Sequence, residues 1–271
     1  MKSFAIYDAQ LERTGPIGYL FYYEKAESFI IELCEDLDEW EAPLLFQAFV
    51  RRREYTIPRA VSLMWVRERV IPSGRQNIGE ILKTHKLKEY SEIAMLTLSK
   101  GHSSQDACYI KEIEVEEVPE DIRGRWLRNV VECFPTESGD VVCMFRDNTT
   151  SLIHLETLVD KYKDVAYVLQ SRALLESMQV GAGGYYISFN ESIEIAVTDL
   201  KEAGEVLPLK ASDFYGFVQK NVVDTTNACF MIDCSRQNLS YLVKEKKLTP
   251  ILQGTKENLY TKGEIARIKS E

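Results

Sequence analysis

The chain reads as a multidomain α+β protein: a mixed α/β N-terminal body, a small β-hairpin and helix domain, and a compact C-terminal helical module with a short hairpin. Three observations predict it. Residues 1–118 mix strand-like and helix-like apolar patterns, alternating apolar runs separated by turn residues dominate after Arg125, and capped helix-period patterns crowd residues 215–271. With 271 residues at 45% hydrophobic, the chain can bury two or three cores of ordinary size. The expected domains are 1–118, 119–210 and 215–271.

In the first domain, residues 17–23 and 29–33 read as strands, and 42–51, 58–66 and 76–85 as helices. Arg67, Arg69 and Arg75 are expected on a solvated helix face rather than in a basic patch. His102 and Asp106 flank two serines without a nucleophile elbow, which points to a polar loop. The stretch Trp65-Val66-Arg67-Glu68-Arg69-Val70-Ile71-Pro72, continuing through Ile78 and Glu80-Ile81-Leu82 to Leu87-Lys88-Glu89-Tyr90 and Gly101, resembles the N-terminal subdomain of HipA-like toxin kinases. The paired Lys, catalytic Asp and metal-binding Asp or Asn of phosphoryl transfer are not recognisable. That resemblance therefore implies a docking fold, with a protein partner for the N-terminal region.

In the middle domain, residues 130–135, 141–145 and 151–155 read as short strands, 156–175 as a helix, 185–189 and 193–196 as strands, and 197–203 as a closing helix. Gly181-Ala182-Gly183-Gly184 invites comparison with a phosphate loop, yet a strand with two tyrosines follows instead of Lys-Ser/Thr and a helix; a tight turn is expected. His154 and Cys143 lie in no nucleophile motif. The order of elements, with Val142-Cys143-Met144-Phe145-Arg146-Asp147, Gly184-Tyr185-Tyr186-Ile187-Ser188-Phe189, Ile195-Ala196 and Leu200, is similar to the DUF2442 family of small bacterial domains. Members often occur near toxin-antitoxin genes. The resemblance implies a binding or regulatory module and supplies no catalytic residue.

The C-terminal module carries the chemistry. Thr225 or Thr226, and then Ser235, stand as N-caps before helix-period apolar sets, and Asp233 can take the left-handed backbone of a short inter-helix turn. In the second helix Leu239, Leu242 and Val243 share one face. Arg236, Gln237, Asn238, Ser240, Tyr241 and Lys244 are then outward, a set able to contact base edges or phosphates. Residues 246–260 read as strand, Gly-containing turn and returning strand, and 262–268 as a closing helix, which completes a winged helix-turn-helix. Thr226, Ser235-Arg236, Leu239, Leu248-Thr249-Pro250 and Tyr260 resemble the pattern of the excisionase and MerR-like DNA-binding family. Lys247 departs from the family's usual Gly, and Glu257 beside Lys256 makes the wing less basic.

Charge agrees with a small footprint on DNA. From Asn221 to Glu271 eight basic residues face six acidic ones, a net plus two, whereas the whole chain is at minus nine and the remainder therefore at minus eleven. Only this module offers phosphates a basic face. Arg236, Gln237, Asn238 and Tyr241 are expected to read bases, and Ser240, Lys244 and Lys256 to hold the backbone.

No apolar run is long enough to span a membrane, the first residues lack signal architecture, and the six cysteines form no C-x-x-C pair; a cytoplasmic protein with reduced thiols is expected. Cys229 and Cys234, without a nearby His, make a poor metal site, so neither metal nor cofactor is expected. The reading is a sequence-specific, DNA-binding transcriptional regulator of bacterial or phage origin, with double-stranded DNA as partner and no enzymatic activity. The alternative is a toxin-antitoxin or defence-associated protein-interaction module whose DNA binding is secondary. A homodimer is expected, because one winged helix covers a short site, with pairing through the first 210 residues: exposed β edges of the middle domain, or the aromatic strand Tyr19 to Tyr23.

Overall fold

A computed structural model of the chain describes residues 1–254 and 256–270; Thr255, in the expected wing turn, and Glu271 lie outside the described residues. Among the described residues, twelve α-helices and four antiparallel sheets make an α+β protein. None of these helices is long and apolar enough to cross a membrane. The backbone divides into two compact units, residues 1–147 with 153–204, and residues 148–152 with 205–271. The boundary expected near residue 118 falls inside the first unit.

Within the first unit, β1 (Lys2–Asp8), β2 (Gly18–Tyr23), β3 (Ser28–Leu33), β4 (Thr56–Ile57) and β5 (Cys108–Ile113) form one sheet in the order β4-β3-β2-β1-β5. Pro43, Pro58 and Pro119 each stand just before a helix, where the missing N–H is no loss: α1 (Leu44–Arg51), α2 (Arg59–Arg67) and, further on, α5 (Glu120–Arg125). Between them lie α3 (Ile78–Thr84), which buries no residue, and α4 (Glu92–Ser99), capped by the Ser91 hydroxyl. Strand alternation sends Phe4, Ile6, Leu20, Phe29 and Ile31 to one face, against Phe46, Trp65, Val66 and Leu96. It sends Ala5, Tyr19 and Phe21 to the other, against Val118 and Ile122.

Two expectations for this region are corrected. The strand holding Tyr19 to Tyr23 is the middle strand of five, and Tyr19, Phe21 and Tyr22 are buried, so it cannot serve as an association surface. Arg69 does not lie on a solvated face: its guanidinium donates to the Trp65 carbonyl at 2.9 Å and to Asp106, and stacks 3.7 Å above the Trp65 ring. Asp106 also accepts from the Cys108 N–H at 3.0 Å, and His102 stacks on Tyr109.

The second core of this unit gathers around β6 (Val130–Pro135) and β7 (Val141–Phe145), a hairpin with a bulge between Val130 and Glu132. Cys143 is buried there, which pushes its thiol upward, while half-exposed His154 pairs with Asp140 at 2.9 Å; the two form no thiol-imidazole couple. The helix expected over 156–175 is broken into α6 (Val165–Gln170) and α7 (Arg172–Glu176). Ser171 makes the break, since its backbone is extended and its hydroxyl caps α7 by accepting from the Leu174 N–H at 3.3 Å. Then β9 (Gln179–Val180), β10 (Tyr186–Phe189) and β11 (Ile193–Ala196) form a three-stranded sheet, closed by α8 (Val197–Ala203). Gly183 and Gly184 have left-handed backbones, and a Cβ on them would stand 2.3 Å from the Tyr23 hydroxyl oxygen and 2.1 Å from the Val130 carbonyl. The glycine run is thus a turn pressed against neighbouring chain, with no room for a phosphate.

Beside that turn lies a buried ion pair. Arg125 Nη2 donates to the Leu33 carbonyl at 2.6 Å, and its Nε stands 3.2 Å from Glu32 Oε2, which also accepts from Thr56 Oγ1 at 2.9 Å. Burial pushes the Glu32 carboxyl up to about 7, against the opposing pull of Arg125 and of the Thr56 and Tyr185 hydroxyls. The folded state therefore keeps a proton that the unfolded chain releases. Stability from this group is fullest below about 4.5 and is lost as pH rises toward about 7. Thermal melts of the first unit from pH 5 to 8 should show its midpoint falling with pH in the wild type, and Glu32→Gln should flatten that slope. Parallel slopes in the two proteins would show that Glu32 is not the titrating group.

Candidate nucleic-acid interface

Residues 148–152 belong to the second unit, where Ser151 and Leu152 of β8 (Thr150–Ile153) pair with β12 (Glu205–Val206). Asn148 then holds the start of α9 (Ala211–Asn221): its Oδ1 accepts the Ser212 N–H at 2.8 Å and its Nδ2 donates to the Ser212 hydroxyl at 2.9 Å. A three-stranded sheet in the order β13 (Val222–Asp224), β15 (Asn258–Thr261), β14 (Leu252–Gln253) frames α10 (Thr225–Ile232), α11 (Arg236–Lys244) and α12 (Lys262–Ser270).

Local chemistry sets the helix-turn-helix. Asp224, not a threonine, caps α10, its carboxylate accepting from the Asn227 N–H at 2.8 Å. A carboxylate at a helix N-terminus gains from the dipole as well as the hydrogen bond, and Thr225 is engaged elsewhere. The Thr225 hydroxyl donates to the Asn258 carbonyl at 3.3 Å and accepts from the Asn258 N–H at 3.2 Å, joining helix to wing strand. Asp233 takes the left-handed conformation at φ 53°, and the Cys234 N–H returns to the Cys229 carbonyl at 3.0 Å, ending α10. Ser235 then caps α11, accepting from the Asn238 N–H at 3.2 Å.

Burying Leu239 decides which face of α11 turns outward. It is 1% exposed in a core with Ala228, Cys229, Leu248, Tyr260 and Ile265, to which Leu242 and Val243 add. Leu248 and Tyr260 tie the segments on either side of the wing into this core. From α12, Arg267 donates to the Lys247 carbonyl at 2.7 Å and Lys269 to the Met231 carbonyl at 3.1 Å. Glu264, hydrogen-bonded to Arg267, is held below the usual carboxylate range.

Arg236, Gln237, Asn238, Ser240, Tyr241 and Lys244 are all exposed on α11, and Lys256 is exposed in the wing. Among the described residues, the side chains of Gln237, Asn238, Ser240, Tyr241 and Lys244 make no hydrogen bond within the protein, so their donors and acceptors face solvent. Arg236 is already engaged. Its Nη2 donates to Thr226 Oγ1 at 2.6 Å and stands 3.8 Å from Glu257 Oε1. Glu257, expected to make the wing less basic, is brought by the hairpin to the first residue of α11. A set of exposed apolar groups not expected from the sequence, Phe230 on α10 and Ile251 and Leu252 on the wing, lies on the same module. The signal for Phe230 was available, because its neighbours Ala228 and Cys229 fill the buried face.

Among the described residues no group of three or more His, Cys, Asp or Glu could hold a metal ion. No family model, no curated protein and no solved structure matches the chain.

An exposed ion pair such as Arg236–Glu257 is worth about 0.2–1 kcal/mol, so an incoming guanine or phosphate can displace the carboxylate at small cost. On the expectation that this module binds double-stranded DNA, Glu257→Gln should tighten that binding by about two- to fivefold at low salt. Fluorescence anisotropy with a labelled duplex measures this, and weaker binding by the variant would place Glu257 among the groups that support the contact surface.

Proposed function

We propose that this chain is a sequence-specific DNA-binding regulator of a bacterial or phage cytoplasm, with α11 as its recognition helix. One observation carries the reading: a short helix, started by a left-handed turn and a serine cap, presents Arg236, Gln237, Asn238, Ser240, Tyr241 and Lys244 to solvent while Leu239 anchors its other face. Amide, guanidinium, hydroxyl and ammonium groups on successive turns are what base-edge and phosphate contacts require. Arg236 and Asn238 suit guanine and adenine edges, Lys244 suits the backbone, and the β14–β15 wing carries Lys256 toward it. The resemblance read in the sequence of the middle segment to DUF2442 domains, and of the N-terminal region to a HipA-like docking subdomain, would imply a binding role for the first unit.

A second reading, a toxin-antitoxin or defence-associated interaction module, is favoured by the first unit's surface. Trp40 is 82% exposed and Leu44 86%, and large side chains left this bare often mark a protein contact.

Selection of bound duplexes from a random pool by the full chain tests the first reading. Enrichment of a defined motif, with affinity falling steeply as salt rises, is the expected result. On that motif Arg236→Ala should cost about 1–3 kcal/mol in discrimination against random sequence, the range for one bidentate base contact. Equal loss on both duplexes would make Arg236 a phosphate contact, and no enrichment at low salt would remove the DNA-binding reading.

A further inference from the structure

The turn between α10 and α11 is held by two nested backbone bonds. The Cys234 N–H reaches back to the Cys229 carbonyl at 3.0 Å and the Asp233 N–H to the Phe230 carbonyl at 3.4 Å, with Asp233 left-handed between the helices. This is the Schellman arrangement, in which the side chains at the two ends of the outer bond commonly make an apolar contact. Here that contact is made by two thiols. They lie within hydrogen-bonding reach of each other and pack together on the small core of the second unit.

We propose that Cys229 and Cys234 form a reversible disulfide, made by hydroperoxides, that clamps the turn between the two helices. Backbone geometry permits the bond. A 3.0 Å hydrogen bond from one residue's backbone to the other's keeps their Cα atoms within the ~4.4–6.8 Å that a disulfide spans. Once closed, the six-residue loop from Cys229 to Cys234 loses its open conformations. The turn has need of this, because its left-handed residue is not a glycine.

Accessibility fixes the order of events. Cys229 is buried, whereas Cys234 is half-buried, its thiol donating to the Ser235 carbonyl at 3.4 Å. Cys234 therefore meets the oxidant first. Its sulfur attacks the hydroperoxide, the O–O bond breaks, and Cys234 becomes a sulfenic acid while the remaining oxygen leaves as water or an alcohol with the thiol proton. The Cys229 sulfur then attacks that of Cys234, and the hydroxyl departs as water with the second thiol proton. Two thiols give up two electrons and the hydroperoxide takes them. Burial raises the Cys234 thiol above its ordinary value, so thiolate is scarce near neutral pH and the site answers sustained oxidant more than a brief pulse. The other thiols are poorer targets. Burial pushes Cys34 up to about 11 and Cys108 and Cys133 up to about 12, while Cys143, set opposite Cys133 by the β6–β7 register, is fully buried.

The test exposes the reduced full chain to hydrogen peroxide, alkylates the remaining thiols and digests with trypsin. Residues 221–236 form one tryptic peptide that holds Cys229 and Cys234, and residues 129–146 another that holds Cys133 and Cys143. The first peptide should appear unalkylated and lighter by two hydrogens, and dithiothreitol should reverse the change. The second should be alkylated at both cysteines. In hydrogen exchange of the intact chain, the amides of Asp233 and Cys234 should exchange at least tenfold more slowly after oxidation, because local opening of the turn is suppressed. Cys234→Ser and Cys234→Ala, at a half-buried position, should keep the wild-type circular dichroism and lose both responses. Alkylation of both Cys229 and Cys234 after peroxide overturns the proposal, as does a disulfide formed within residues 129–146 instead. A disulfide at Cys229 and Cys234 that leaves exchange unchanged overturns the clamp. None of these measurements involves DNA, so this site and the DNA-binding reading fail separately.

Discussion

Arg125 is the constraint on which the first unit turns. Its guanidinium leaves α5, enters the interior and binds a backbone carbonyl and a carboxylate of β3, the strand beside the centre of the five-stranded sheet. A buried guanidinium is tolerated only where acceptors meet its donors, so the position of α5 is tied to the Leu33 carbonyl and the Glu32 carboxyl of β3. The later part of the first unit inherits that placement. The hairpin β6–β7 begins five residues later, Asn129 ties it to the Gly183 carbonyl, and the glycine turn closes on Tyr23 and Val130. Arg59 adds a second stitch, pairing with Glu194 at 2.6 Å. This is why residues 1–118 and the segment after them form one compact unit despite their separate cores.

In the second unit the same economy works with fewer residues. Six buried side chains are a small core, and its helices depend correspondingly on satisfied ends: Asp224 and Ser235 at the two N-termini, Lys269 on the last turn of α10, Arg267 on the carbonyl after α11. Because caps and turn consume the polar groups near the helix junction, those on the outer face of α11 stay unspent. Arg236 is the exception, sharing itself between Thr226 and Glu257.

What could be read from the residues was what is decided locally. The turn at Asp233, the cap at Ser235, the burial of Leu239 and the helix over residues 197–203 follow from spacing within a few positions. Competition between neighbours was harder: Asp224, Thr225 and Thr226 are all capping residues, and the choice fell to the one whose side chain no distant partner claimed. The single helix expected over 156–175 failed because Ser171 can bond its own following turn, an option that apolar periodicity does not reveal. Long-range pairing was invisible. Nothing near Glu32 announces Arg125, nothing near Arg236 announces Glu257, and α9 escaped notice because a helix with no buried stripe has no periodic signature.

The pairing of β1 with β5 has a consequence for how this protein is made. Asp8 lies opposite Cys108, so one edge of the first strand waits for a partner a hundred residues downstream. At roughly 5–20 residues per second, a ribosome needs about 5–20 s to deliver it. During that interval β1 and β2 can pair, leaving the outer backbone groups of β1 and the apolar side chains Phe4 and Ile6 open to other chains. Until β5 emerges, the open edge of β1 is therefore a place where neighbouring chains can pair, and shielding by a chaperone over that interval protects it.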